Sequence, residues 1–162
     1  MRKNFKNRKQ KSCSGFSLIE MIVAIAIGAV LVAAVVVSFS SFRNSKIVDI
    51  SADQILSVIN EARVKAVSSE DYSRFGVRFE ANRVALFKGE IFIEPNPSNI
   101  ETPLSSLVEI SNISLNGGGS DIVFQKLTGK TSGYGSLRVR LKSDNNKYKT
   151  ISVKSTGIAN IQ

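Results

Sequence analysis

Residues 15–37 read GFSLIEMIVAIAIGAVLVAAVVV, and they set the fold class of the whole chain. From Met21 to Val37 seventeen consecutive residues carry no charge, and the uncharged run continues through Phe42. A helix needs roughly 17–25 apolar residues to cross a hydrocarbon core. The stretch therefore predicts one membrane-spanning helix, with a single acid, Glu20, near its start.

Residues 1–15 form a short basic leader. It holds six basic residues and no acid, namely Arg2, Lys3, Lys6, Arg8, Lys9 and Lys11. The whole chain has a formal charge of +9, but residues 16–162 hold 16 basic against 13 acidic residues, which is only +3. Because Lys and Arg that flank a first span stay cytoplasmic, we expect the C-terminal part to be extracytoplasmic. The near balance of charge there argues against nucleic-acid binding by bulk charge.

Other uses of a basic and apolar N-terminus fit this chain less well. A secretory signal peptide has an apolar core of roughly 7–15 residues and then a small-x-small cleavage site. Here the run is longer, and Ala33 and Ala34 lie inside it. A lipoprotein cysteine would follow the run, whereas Cys13, the only cysteine, precedes it. If the leader is removed, no disulfide can form in the exported part.

The segment Gly15-Phe16-Ser17-Leu18-Ile19-Glu20 resembles the class III signal of type IV pilins and type II secretion pseudopilins. In that family a membrane aspartyl protease, the prepilin peptidase, cuts after the glycine and N-methylates the new first residue. The resemblance implies cleavage after Gly15, methylation of Phe16 and no cofactor. It implies a place in the cytoplasmic (inner) membrane and then in a pilus or pseudopilus. The implied partners are other pilins or pseudopilins, the peptidase, an inner-membrane assembly platform and, before assembly, membrane lipid.

Glu20 is the unusual residue of the span. A carboxylate at the centre of a membrane helix costs roughly 2.5–3.5 kcal/mol, less near an interface, and such residues usually have partners. Cleavage after Gly15 would create a positive amine on Phe16 of this subunit and of each neighbour. By resemblance, the family pairs this carboxylate with the terminal amine of an adjacent subunit. The ordinary alternative is that Glu20 only complements a helix N-terminus, which is worth roughly 0.3–1 kcal/mol.

The helical pattern continues beyond the span. Apolar residues at spacings of three and four draw one stripe along a helix, and they are Val48, Ala52, Ile55, Ile59, Ala62 and Ala66. Because Pro and Gly are absent between Ala29 and Ser68, we expect one helix from about Phe16 to Ser68. The predicted organisation is a leader at 1–15, a transmembrane and assembly helix at 16–42, its amphipathic continuation at 43–70 and a β domain at 71–162.

From Arg74 onward the apolar period changes to two, which is typical of strands. We expect about seven strands: a hairpin that turns at Ala81-Asn82 and extends through Ile91 and Ile93, then strands at Leu107 to Leu115, Asp121 to Lys126 and Leu137 to Lys142, and two more after turns at Asp144 to Asn146 and Thr156-Gly157. Residues 95–106 and 128–136 are predicted loops. The fold class is α+β and pilin-like, with one long N-terminal helix packed on an antiparallel domain of one sheet or two.

The C-terminal pattern is similar to the GspH/FimT class of minor pseudopilins and minor pilins. The similarity lies in the A-R-x-x-A run from Ala62 to Ala66, the paired strands, a Gly-rich loop and the closing I-S-V-K-S-T-G at 151–157. Members of that class often carry Arg after the closing T-G, where Ile158 stands here. The resemblance implies a low-abundance subunit at or near a filament tip that helps to initiate assembly. A major pilin is the rival, although many of those have a proline in the apolar helix and a C-terminal disulfide.

Enzyme chemistry finds little support in the sequence. The chain has no histidine, the usual general base, and no cysteine beyond the leader to act as a nucleophile. Gly129-Lys130-Thr131 resembles the end of a nucleotide-binding loop, but Phe124 occupies the position of its first glycine. The sequence therefore predicts a structural protein and not an enzyme.

Two further functions stay open at this point. A DNA-binding minor pilin of a DNA-uptake pilus would use Arg138, Arg140 and Lys142 on one strand face to meet phosphates. A solvated outer strand face is the plainer interpretation of these residues, and we prefer it. A monomeric membrane-anchored receptor or adhesin would need neither Glu20 nor cleavage after Gly15. The pattern fits secretion, pilus and DNA-uptake machines alike.

Overall fold

The computed structural model describes residues 15–162, and of residues 36–41 it describes the backbone alone. The predicted leader, with its six basic residues and Cys13, lies outside the described residues except for Gly15. The chain divides into two compact units, one that ends at Ser40 and one from Ser41 to Gln162.

Helix α1 runs from Leu18 to Val67 and belongs to both units. Its bounds agree with the single helix predicted from the sequence. In the first unit the described apolar side chains are largely exposed, among them Leu18, Ile25 and Val30. Residues Leu18–Val35 are long and apolar enough to cross a membrane, by length and composition.

In the second unit α1 buries the predicted apolar stripe. All six positions are buried, and five of them are fully buried. Each buried Ile or Val side chain contributes roughly 1.5–3 kcal/mol by leaving water. The stripe belongs to one core cluster that also includes residues of all the longer strands, such as Phe79, Leu86 and Leu137.

A short 3-10 helix, Glu70–Tyr72, follows α1 and leads into eight strands. The strands are β1 Phe75–Phe79, β2 Arg83–Lys88, β3 Ile100–Pro103, β4 Val108–Leu115, β5 Asp121–Phe124, β6 Gly135–Leu141, β7 Asp144–Val153 and β8 Ala159–Ile161. They form two four-stranded antiparallel sheets with the orders β3-β2-β1-β5 and β4-β6-β7-β8. The α+β class is confirmed, and the domain has two sheets.

The predicted extension of the first hairpin through Ile91 and Ile93 is wrong. β2 ends at Lys88 because Gly89, at φ +117°, turns the chain away from the sheet. Phe92 then packs edge-to-face on Phe87, with the ring centroids 5.5 Å apart, on the outer side of the first sheet. Ile91 and Ile93 remain 75% and 62% exposed.

The predicted exposed loop at 95–106 contains β3 instead. This strand pairs with β2, and Leu104 just after it is buried. Proline argues against a strand in a sequence, because it has no N–H to donate to a neighbouring strand. An edge strand tolerates it. β3 is an edge strand that ends at Pro103.

The predicted turn at residues 144–146 lies too far along the chain. The chain reverses at Lys142 and Ser143, so Leu141 pairs with Asp144, while Arg140 pairs with Tyr148. The intervening residues 145–147 form a bulge on β7, which accommodates the asparagines that suggested a turn. Lys142 therefore lies in the turn and not on β6.

Two smaller differences concern the segment after β5. This strand ends at Phe124 instead of Lys126. Thr131, inside the predicted loop at 128–136, is buried and forms a single bridge with Phe124, and β6 begins at Gly135. The three glycines of residues 128–136 predicted an exposed loop, but the contact between Thr131 and Phe124 buries part of it.

Gly157→Ala is expected to destabilise the second unit by about 2–5 kcal/mol. Gly157 has φ +80°, and a Cβ there would press against the Gly129 carbonyl oxygen and lie 3.1 Å from Arg63 Nε. The left-handed conformation costs an L residue about 1–2 kcal/mol, and overpacking adds typically 1–3 kcal/mol. Gly117 has φ +86° with nothing within 4 Å, so Gly117→Ala is the matched control. Urea unfolding of the full chain in mild detergent should show a loss of only about 1–2 kcal/mol for the control. If the two variants lost equal stability, the close contact between Gly157 and the Gly129 carbonyl would not contribute.

Candidate processing and assembly site

Ser17 fixes the residue at which α1 begins. The Glu20 N–H donates to Ser17 Oγ at 3.3 Å, and the Glu20 and Met21 N–H groups lie 3.1 and 3.2 Å from the Ser17 carbonyl oxygen. A serine at the N-cap with a glutamate three residues later is the capping-box sequence. We did not predict this helix cap from the sequence, although Ser17 and Glu20 have the S-x-x-E spacing of a capping box.

Glu20 lies in the first turn of α1 and is exposed. The first N–H groups of a helix have no partner within it, so an acid there is favourable. This position agrees with the simple interpretation of Glu20 as a helix-end acid. It also leaves the carboxylate and the 78%-exposed Phe16 accessible at the same end of the helix. Phe16 lies four residues before Glu20 in the chain.

The basic residues nominated for DNA do not form one row of uncompensated charge. Arg140 Nη2 lies 2.6 Å from Glu109 Oε1, and its Nε donates to the same oxygen at 2.8 Å. Lys142, in the turn, donates from Nζ to the Ser106 carbonyl oxygen at 2.9 Å. Arg138 is exposed and stacks its guanidinium 4.7 Å from the centre of the Tyr148 ring. Since Arg140 is paired with an acid on β4, the three side chains are not equivalent phosphate ligands.

Arg83 is a charged hub that the sequence did not reveal. Its Nε donates to Glu80 at 2.6 Å, its Nη2 to Glu94 at 2.9 Å, and its Nη1 lies 2.7 Å from Glu101. The hydrogen bonds that Arg83 donates to these carboxylates raise its pKa further above the usual value. The hub ties β2 to β3 and to the segment that joins them.

Arg63 packs the end of α1 against two glycine turns. A Cβ on Gly129 or on Gly157 would lie 3.1 Å from Arg63 Nε, and that nitrogen is buried with no hydrogen-bond partner among the described residues. Within residues 15–162, no group of three or more His, Cys, Asp or Glu side chains could hold a metal ion.

Comparison with known proteins identifies both the N-terminal segment and the fold. Residues 10–36 match the family model of the prokaryotic N-terminal methylation motif. No curated protein matches the sequence.

Two kinds of solved structure are similar to this chain. The minor pseudopilin EpsH from the type II secretion system of Vibrio cholerae is 14% identical with a TM-score of 0.54, and the match covers 72% of this chain and 94% of that one. The type IV minor pilin FimU of Pseudomonas aeruginosa is 10% identical with a TM-score of 0.54, and the match covers 71% and 87%. At these identities the similarity concerns the fold alone.

Proposed function

We propose that this chain is a minor pilin or pseudopilin. The premise is that it has the N-terminal motif and the fold of the type IV pilin and pseudopilin family. That family consists of structural subunits and not of enzymes. The chain would be anchored in the cytoplasmic membrane by the apolar part of α1, with its β domain outside, and would then enter a pilus or pseudopilus. The observation that carries the proposal is the methylation motif at the start of a helix that continues into a pilin-like domain.

Cleavage after Gly15 and methylation of Phe16 follow from the same motif. Gly15 and Phe16 precede the helix, which begins at Leu18, so the backbone at the cleavage point is not held in helical hydrogen bonds. The Phe16 side chain is exposed, and a Cβ on Gly15 would meet nothing within 4 Å. These features support access by a prepilin peptidase.

Glu20 would then act in assembly. Its carboxylate lies in the first helical turn, four residues after Phe16, on which the new amine would form. Pairing with the amine of an adjacent subunit would offset the cost of holding a charge in an apolar environment. It would also set the axial register between helices whose remaining exposed side chains are apolar.

A place at or near the filament tip, with a role in initiation, is the finer part of the proposal. Its support is that EpsH and FimU are both minor subunits by name, and that the chain shares their fold. DNA binding is less favoured, because Glu109 compensates the charge of Arg140. An isolated receptor or adhesin would leave the methylation motif without a purpose.

The first test is the N-terminus of the mature protein. We expect coexpression of the full chain with a prepilin peptidase to yield residues 16–162 with a methylated Phe16, identified by mass spectrometry. Expression without the peptidase is the control and should yield the uncleaved chain. A mature N-terminus at any other residue would contradict the proposed processing.

A further inference from the structure

Asn116 and Gly117 form an Asn-Gly sequence in the turn that joins β4 to β5. Every other asparagine of the chain is followed by a residue larger than glycine. Asparagine is thermolabile, because the backbone nitrogen of the next residue can attack its side-chain amide. A glycine at that next position crowds the nitrogen least, since it has no Cβ. This dipeptide is therefore the place in the chain where the attack is easiest.

The structure leaves the attacking nitrogen open. Asn116 and the three glycines after it are exposed, and Cβ atoms built on Gly117, Gly118 and Gly119 would meet nothing within 4 Å. The Gly118 N–H donates to the Leu115 carbonyl oxygen at 3.1 Å. The Gly117 N–H, in contrast, has no hydrogen-bond partner in the part of the chain that the structure describes. The Gly117 nitrogen is thus neither covered by neighbouring atoms nor held by an acceptor.

Asn116 holds the turn to the segment before β6 through two hydrogen bonds. Its N–H donates to the Tyr134 carbonyl oxygen at 2.7 Å, and its side-chain Nδ2 donates to the Ser132 carbonyl oxygen at 3.0 Å. That segment also runs beside β5, since a Cβ on Gly133 would lie 3.1 Å from the Asp121 carbonyl oxygen. β4 belongs to the second sheet and β5 to the first. The Asn116 side chain therefore secures the connection between the two sheets.

We propose that Asn116 is a site of spontaneous deamidation, and that its product releases the turn from the segment before β6. The Gly117 nitrogen forms a bond to the side-chain carbonyl carbon of Asn116, and the bond from that carbon to Nδ2 breaks. The amide nitrogen leaves as ammonia, with the proton that the Gly117 nitrogen gives up. Water then opens the resulting succinimide ring at one of its two carbonyl carbons. Opening at the side-chain carbon gives aspartate, and opening at the backbone carbon gives isoaspartate.

The product cannot make the hydrogen bond that the asparagine makes. A carboxylate only accepts hydrogen bonds, so the Ser132 carbonyl oxygen would face a second acceptor where Nδ2 was. Two negative partial charges repel each other at that distance, and the turn separates from the segment. Isoaspartate also routes the backbone through the side-chain carbon, which lengthens the turn. The fraction of released turns therefore rises with the age of the protein.

The two hydrogen bonds of Asn116 set the pace of the reaction. Nδ2 has to leave the Ser132 carbonyl, and the turn has to open, before the ring can close. Exposed turns open at a free energy far below that of global unfolding. We therefore expect the folded chain to react, but more slowly than the chain unfolded in urea. Because the attack uses the deprotonated nitrogen, the rate should rise with the hydroxide concentration.

Peptide mapping of the aged full chain tests the proposal. The chain is incubated in mild detergent at body temperature, in mildly alkaline or mildly acidic buffer, and is then digested at mildly acidic pH to limit conversion during handling. Mass spectrometry with electron-transfer fragmentation distinguishes aspartate from isoaspartate. We expect both products at Asn116, more of them in the alkaline buffer, and the other asparagines unchanged. Gly117→Ala places a methyl group beside the attacking nitrogen and should slow the conversion about tenfold or more.

Gly118→Ala is the matched control for the attack. Gly117 and Gly118 have φ +86° and +73°, so an alanine at either position adopts an unfavourable left-handed backbone. Only the residue at 117 carries the attacking nitrogen. Gly118→Ala should therefore convert at about the rate of the unmodified chain.

Asn116→Asp separates the structural consequence from the reaction. It replaces the donor Nδ2 by an oxygen, and the loss of that hydrogen bond should lower the Tm of the full chain by about 2–8 °C. The matched control is Asn112→Asp, which adds the same charge at an exposed position of β4 and should change the Tm by less than about 2 °C. Differential scanning calorimetry in mild detergent measures both.

Several results would overturn the proposal. They are a folded chain that stays unmodified while the urea-unfolded chain converts, conversion that is equally fast at other asparagines, and a Gly118→Ala variant slowed as much as Gly117→Ala. The structural consequence would be wrong if Asn116→Asp and Asn112→Asp unfolded at the same temperature. None of these measurements uses a peptidase or a filament, so their outcome is independent of the proposed function.

Discussion

Glu20→Ala is expected to leave membrane insertion intact and to reduce incorporation into filaments by tenfold or more. Removing the carboxylate lowers the cost of placing this turn in the bilayer, which is up to about 2.5–3.5 kcal/mol. The same change removes the proposed partner of the neighbouring Phe16 amine. Breaking a desolvated charge pair costs about 3–5 kcal/mol when the other charge stays buried, well over a factor of ten in equilibrium. Membrane fractionation and the amount of the subunit in sheared filaments measure the two effects separately.

Ser17→Ala is the control that separates the charge from the helix cap. It removes the Oγ acceptor of the Glu20 N–H but keeps the carboxylate. Loss of a serine cap costs typically about 1 kcal/mol, which is confined to the first turn. We expect this variant to assemble nearly as well as the unmodified chain. If Glu20→Ala entered filaments normally, or if both variants failed alike, the pairing proposed for Glu20 would be wrong.

Phe124→Ala is expected to destabilise the β domain by about 3–5 kcal/mol. Phe124 is fully buried in the shared core, and it pairs with Phe75 on β1 and bridges to Thr131. Its truncation leaves a cavity between strands and loop that close packing cannot easily fill. The free energy of unfolding of a domain is only about 5–15 kcal/mol, so this one substitution removes a large part of it. The free energy of urea unfolding of the full chain in mild detergent measures it.

Ile91→Ala is the matched control for the core substitution. Ile91 is 75% exposed on the segment after β2, so its truncation removes little buried surface. Surface substitutions usually change stability by less than about 0.5 kcal/mol. A large loss for Ile91→Ala, or a small one for Phe124→Ala, would mean that the core is not where the structure places it.

The features that could be predicted from the sequence are those with a local signal. The apolar stripe of α1 repeats every three or four residues, and the structure confirms it. The hairpin of β1 and β2 was predicted from apolar residues on both sides of Ala81 and Asn82, and it is confirmed as well. The family resemblance rests on the contiguous motif from Gly15 to Glu20, and the methylation-motif match and the pilin-like fold confirm it.

What the sequence missed depends on contacts between distant residues. β3 is a short strand that pairs with the edge of β2, and Glu101 and Pro103 are two of its four residues, so its local signal for a strand is weak. The alternation at Ile91 and Ile93 is real, but it is the half-buried Phe92 that packs on Phe87, and both isoleucines stay exposed. The partner of Arg140 is 31 positions away in the chain, so its neutralisation could not be seen by counting charges.

Replacing Arg83 should disturb its ion-pair cluster more than replacing any one of its three glutamate partners. Loss of any one of Glu80, Glu94 and Glu101 leaves the guanidinium two acids and every remaining carboxylate a counterion. Loss of Arg83 instead leaves three acids facing one another, and each then repels the other two. Relatives should therefore tolerate variation at the individual glutamates far more readily than at the arginine, and exchange of the arginine should occur together with loss of more than one acid.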